Sequence, residues 1–167
     1  MIVLIRPINP LLHIQFPGKF MKSFVAFYFF LSLCCDAFSQ KDSTIYLLAK
    51  EFYDASLPDS ASLLLKKVLD SKEVSYFLKS ESHSLLGHIE QDKGNLPGAL
   101  QEYIKAGKIG SDNQDIDLTT QADINISGVY RQQNRLDIAR LYIDKAENNL
   151  PQLENKKLIG NYYNNKA

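Results

Sequence analysis

The chain has 167 residues, with 19 Lys+Arg set against 19 Asp+Glu, so its formal net charge is zero. That balance excludes a strongly basic nucleic-acid binder and a strongly acidic tail. A composition of 45% hydrophobic and 23% charged residues is ordinary for a globular chain, and the length suits one domain.

The first expected element is an address. Residues 24–35, FVAFYFFLSLCC, form an uncharged run. As a helix it rises about 18 Å, well short of a hydrocarbon core of roughly 30 Å. Lys22 precedes the run, and Ala37-Phe38-Ser39 follows it with small-x-small spacing. That is the order of a secretory signal. We expect a signal peptide over 21–39, opening at Met21. Residues 1–20, MIVLIRPINPLLHIQFPGKF, are then an upstream extension. The alternatives are an N-terminal anchor that stays uncut and a lipoprotein signal at Cys34 or Cys35, although Leu33 and Cys34 fit poorly where a lipobox wants a small residue. Cleavage after Ser39 removes both cysteines and both methionines. The remaining body forms no disulfide and has no thiol nucleophile, which suits an exported protein. The expected location is periplasmic, or membrane-anchored and facing the periplasm. Membrane contact is expected only through the apolar segment, if it is uncut.

The rest of the chain repeats. Residues 85–106, LLGHIEQDKGNLPGALQEYIKA, slide onto 125–146, NISGVYRQQNRLDIARLYIDKA, with a shift of 40. Residues 48–68, LAKEFYDASLPDSASLLLKKV, precede the middle copy with a shift of 38. Each copy divides into two apolar-periodic helices. The breaks are Ser56-Leu57-Pro58, Gly94-Asn95-Leu96-Pro97 and Asn134-Arg135. Proline is tolerated in a first helical turn, whose amides lack intrahelical partners. Asn95 and Asp59 are expected as caps or first-turn residues. Ala61, Ala99 and Ala139 let the second helix of each pair approach the first, and Leu65, Tyr103 and Ile143 lie four residues on, on the same face. Residues 152–167 read as the opening helix of a fourth copy. The array is expected over 43–167, with repeats at about 42–75, 80–113 and 120–153 and a partial fourth from 154.

These anchors resemble the tetratricopeptide repeat (TPR), with its W-x2-L-G-x2-Y, A-x3-F and P pattern. The middle copy has Leu86-Gly87, Ala99 and Tyr103. The third has Ile126-Ser127, Tyr130, Ala139, Ile143 and Pro151, and the first has Leu48-Ala49, Phe52, Ala61 and Leu65. The Trp slot holds Ile45, His83 and Asp123, and Tyr163 in the tail. The resemblance implies an all-α, right-handed superhelical solenoid of antiparallel helix pairs, preceded by the signal-type apolar helix. A signal followed by such repeats also resembles the input regions of bacterial histidine kinases and helix-turn-helix regulators. No polar capping helix follows the tail, so a truncated product or a fragment of a longer signalling protein is expected.

Chemistry is sparse. His83 and His88 are five apart, whereas helical metal pairs want three or four, so no metal or cofactor is expected. His83 fills a packing slot, and His88 is expected on the groove or in solvent. Gly107-Lys108-Ile109-Gly110 lacks phosphate-loop spacing and reads as a helix end running into a loop. Asn125-Ile126-Ser127 matches a glycosylation acceptor by chance, inside a helix. Glu81, Asp92 and Asp123 are expected on solvated faces. No catalytic residue emerges, and no basic stripe with aromatics suits nucleic acid.

In the family that the repeats resemble, the first helix of each pair lines a groove. That implies inner-face residues Tyr46, Lys50, Tyr53 and Asp54, then Ser84, His88, Gln91 and Asp92, then Ile124, Arg131 and Gln132. The mixture suits a protein or peptide segment, and the expected function is non-enzymatic: a sensory or scaffolding interaction module. The alternatives are a phospho-aspartate phosphatase using Gln91, Asp92 and Arg131, and a nonfunctional remnant.

Overall fold

The computed structural model describes residues 41–153 and 155–166. The expected upstream extension at 1–20 and signal segment at 21–39 lie outside the described residues. Helix α1 runs through residues 41–54. It is followed by α2 (Pro58–Leu69), α3 (Tyr76–Asp92), α4 (Leu96–Asp112), α5 (Ile116–Gln132), α6 (Leu136–Asn149), a 3-10 turn at Leu150–Gln152, and α7 (Lys156–Lys166). There is no strand among the described residues.

One turn chemistry recurs four times. After α3, Gly94 N–H donates to the carbonyl of Gln91, and Asn95 N–H donates to that of Glu90, both at 2.9 Å. This is a Schellman motif, and it needs a left-handed residue just past the helix. Gly94 supplies it at φ 76°. The same pair of bonds closes α1, α4 and α5 around Ser56, Gln114 and Asn134, at φ 60°, 57° and 59°. Three of the four left-handed sites therefore carry a side chain, where the conformation is less favourable than for glycine. The next helix starts within two residues, so neighbouring helices fold back on one another. Ser75, Asn95 and Asp115 cap α3, α4 and α5 by accepting from the amides of Leu78, Gly98 and Leu118. Asp59, expected as a cap or first-turn residue, lies in the first turn of α2 and pairs with Lys93 at 2.8 Å.

Packing is local, as in a stacked array. α3 packs on α4, α4 on α5 and α5 on α6, while α3–α5 and α5–α7 touch as next-but-one neighbours. The core is accordingly a row of small clusters. Ala49, Ala61, Leu65, Leu85, Leu86 and Ile89 form one, and Ala99, Tyr103, Ile126 and Val129 form the next. Ile124, Ile143, Ala146, Leu153, Leu158 and Tyr162 form another. Ala61, Ala99 and Ala139 are all buried, as their spacing predicts. Two buried hydroxyls bond across the hairpins. Ser80 donates to the Ala106 carbonyl at 3.1 Å and Ser127 to the Ala139 carbonyl at 2.9 Å.

Three expectations are corrected. On α3, α5 and α7 the buried column falls one residue before the slot assigned to Trp. Ser82, Ala122 and Tyr162 are buried there, whereas Tyr163 is 60% exposed. In α7 the core side chains are Leu158 and Tyr162, one turn apart, and Tyr163 is rotated about 100° off that face. Gly107–Gly110 does not begin a loop but lies within the last turns of α4. At Gly110 an added Cβ would lie 2.8 Å from the Thr119 backbone nitrogen, so the glycine admits a close crossing with α5. Asp123, expected on a solvated face, is half-buried.

Candidate functional site

The alternate helices α1, α3, α5 and α7 enclose a groove of about 490 Å³. Seven of the expected groove residues line it: Tyr46, Lys50, Tyr53 and Asp54 from α1, Ser84 and His88 from α3, and Ile124 from α5. Two long-range bonds tie α1 to α3. Tyr46 donates its hydroxyl to Glu81 Oε2 at 3.1 Å, and Tyr53 donates to Asp92 Oδ2 at 2.7 Å. Burial, followed by the neighbouring carboxylate, pushes the Tyr46 phenol well above its ordinary value and raises Tyr53 to about 12. Both stay protonated near neutrality.

A second network lies beneath. Tyr103 is fully buried on α4, and its ring fills the space left by the missing side chain of Gly87. Its hydroxyl donates to Gln91 Oε1 at 2.9 Å and meets His88 Nδ1 at 2.7 Å. The phenol has one proton. With Gln91 Oε1 as its acceptor, His88 Nδ1–H must be the donor to the tyrosine oxygen. In a neutral imidazole this leaves Nε2 as a lone-pair acceptor. Burial lowers the His88 pKa and Asp92 works against it, which is consistent with a neutral ring. His88 is thus not a freely solvated side chain.

Ile124 and the other expected residues are placed differently. Gln91 serves Tyr103, and Asp92 stands at the rim, joined to Tyr53. Ile124 touches the groove, but its side chain is buried in the α5–α6–α7 cluster. Gln132 is exposed at the end of α5. Arg131 lines a separate cavity of about 430 Å³ bordered by α5, α6 and α7. There its guanidinium donates to the backbone carbonyl and Oδ1 of Asn165 at 2.8 and 3.3 Å. Gln91, Asp92 and Arg131 are therefore each engaged with a different partner. Among the described residues no group of three or more His, Cys, Asp or Glu is placed to hold a metal ion. No helix among them is long and apolar enough to cross a membrane.

The sequence reading missed the groove's other wall. Gln121 and Asn125 on α5, with Asn155 before α7 and Lys157, Asn161 and Asn165 on it, also line the groove. A signal was present. Gln121 and Asn161 are 40 apart, as are Asn125 and Asn165, the spacing of the repeat itself. Gln121 donates to Asn125 Oδ1 at 3.0 Å, while Asn125 Nδ2 is buried without a hydrogen-bond partner.

The fold and groove together define a TPR-like helical-repeat domain. Among solved structures, the N-terminal domain of stress-induced protein-1 (STI-1) from C. elegans shares this architecture. It superposes with a TM-score of 0.57 over 78% of this chain and 98% of that domain, at 14% sequence identity, so the likeness is one of fold. No protein-family model and no curated protein matches the chain.

Proposed function

We propose that the chain is a non-enzymatic module that docks a protein or peptide segment in the groove of α1, α3, α5 and α7. The observation that carries this reading is the groove itself. Four successive first helices contribute side chains to one cavity, and it is polar with aromatic faces rather than a closed apolar hole. Helices held by short capped turns present that surface already ordered, so a segment binds with little ordering cost on the receptor side. The apolar run at 24–35 and the small residues Ala37 and Ser39 support export, with the groove acting in the periplasm as the sensory or scaffolding part of a signalling protein.

The test is a pull-down from periplasmic extract with the mature chain, the groove-filling variant Ser84→Trp, and Arg131→Ala as a control outside the groove. Partners retained by Arg131→Ala and lost by Ser84→Trp are expected, given unchanged helical circular dichroism. Partners that survive both substitutions refute the groove. Amino-terminal sequencing of the cell-derived protein tests export, and a start upstream of Gln40 rejects cleavage after Ser39.

A further inference from the structure

The two ends of the groove differ in what they leave unpaired. On α1 and α3 the two phenols and His88 already spend their protons within the protein. Tyr46 gives its proton to Glu81 and Tyr53 to Asp92, while the Nδ1–H of His88 goes to Tyr103. What these side chains retain is lone pairs and ring faces: two phenol oxygens, His88 Nε2, the second oxygen of Glu81 and the carboxylate of Asp54. Lys50 is the one cation on these helices that lines the groove, and it is exposed. On the far wall the balance reverses. Asn125 Nδ2 is a buried donor without a partner, and the Lys157 ammonium lines the groove beside Asn161.

We infer that the α1–α3 end of the groove receives a cationic side chain, Arg or Lys, of the docked segment, whose carbonyl or carboxylate oxygens face α5 and α7. This rests on the groove being the docking site. A guanidinium brings five N–H donors and a flat face to a site that offers acceptors and tyrosine rings. Stacking on Tyr46 or Tyr53 adds a cation–π contribution. A carboxylate in that place meets Asp54 and Glu81 with like charge. A neutral aliphatic group leaves their oxygens without a partner after displacing water. Carbonyl oxygens of an extended segment meet the exposed Lys157 on the far wall.

A random twelve-residue peptide library displayed on phage, selected on the immobilised mature chain, tests this. Selected peptides are then measured by fluorescence anisotropy against Asp54→Lys, Glu81→Gln, and two groove-filling variants, Ser84→Trp and Asn161→Trp. The expected result is enrichment of Arg or Lys at one position. Asp54→Lys, at an exposed site, should weaken binding about fivefold to tenfold, with a smaller loss in Glu81→Gln. Peptides that require an open groove but show no basic enrichment, or ignore Asp54→Lys, overturn this inference and leave the docking site standing. Binders indifferent to both groove-filling variants, or no binders at all, overturn the inference and the docking site together.

Discussion

Gly87 is the position where the repeat's geometry is most exposed to a single atom. It lies inside α3, where alanine would normally add stability through its higher helix propensity, by up to about 1 kcal/mol. Here a Cβ would stand 2.5 Å from Tyr103 Cε1, 2.6 Å from Cδ1 and 2.9 Å from Cζ. Those are ring atoms, and the ring cannot swing away. Tyr103 is fully buried, and its hydroxyl is held by Gln91 and His88. Overpacking of this kind costs about 1–3 kcal/mol, and three short contacts on a pinned ring place it at the upper end. Net of propensity, Gly87→Ala is expected to destabilise the chain by about 1–2 kcal/mol. Urea unfolding followed by circular dichroism at 222 nm measures it, with an unchanged m-value marking a true stability change. The chain has no Trp, so helicity is the better signal. In a Tyr103→Leu background the clash disappears, and Gly87→Ala should turn neutral or stabilising. A coupling of about 2 kcal/mol between the two sites is the signature. Gly160→Ala is the control, since its Cβ meets nothing within 4 Å and α7 should gain stability. A stabilising Gly87→Ala, or a coupling below about 0.5 kcal/mol, would refute the tyrosine-on-glycine contact as what sets the spacing of α3 and α4.

Burial raises the Asp123 carboxyl to about 6, and Lys145 partly offsets this. A folded value above the unfolded one means the native state holds the proton more tightly, so stability falls as pH rises from about 4 through 6. Asp123→Asn should therefore raise the urea midpoint at pH 7.5 by the equivalent of about 1 kcal/mol, after allowance for the side chain's solvent contact, and leave it unchanged near pH 4. An equal gain at both pH values rejects the burial effect. Tyr103→Phe removes the partner of His88 Nδ1 and Gln91, and should cost about 1–2 kcal/mol in the same assay without altering the fold. His88 is shifted the opposite way from Asp123. Its lowered value makes the unfolded state the better proton acceptor, so the stability it supports is full above its ordinary 6.5 and declines on acidification below that. His88→Gln should flatten the stability profile between pH 6.5 and 5. Nitrogen NMR of wild-type His88 should show the Nδ1–H tautomer, and an Nε2–H signal contradicts the assignment.

How much of this the sequence disclosed depends on whether a feature is set by a column or by a neighbour. The small residues Ala61, Ala99 and Ala139 form a column, because every hairpin must close at the same separation, and their period alone locates three buried helix crossings. Gly87 and Ser127 belong to another such column. Features set by a neighbour in space carry no period. The tautomer of His88 depends on a tyrosine fifteen residues away and on which atom of Gln91 faces it. Arg131 matches a groove position by counting along the helix, yet Asn165 draws its guanidinium into a different cavity. Tyr163 was assigned by a slot whose occupants here are Ile45, His83 and Asp123, none of them fully buried, so the slot no longer reports burial. The amides of the far wall fall between these cases. Gln121, Asn125, Asn161 and Asn165 do repeat at 40, but carboxamides are ordinary on solvated helices, and only the curvature of four helices around one volume turns that pair of pairs into a surface. Period therefore identifies what holds the stack together, while the binding face is specified by residues free to differ from one repeat to the next. In this chain the groove's carboxylates, Asp54 and Glu81, stand on α1 and α3, while α5 and α7 contribute carboxamides and Lys157. An array of identical repeats would carry the same charge on every first helix, and this one does not.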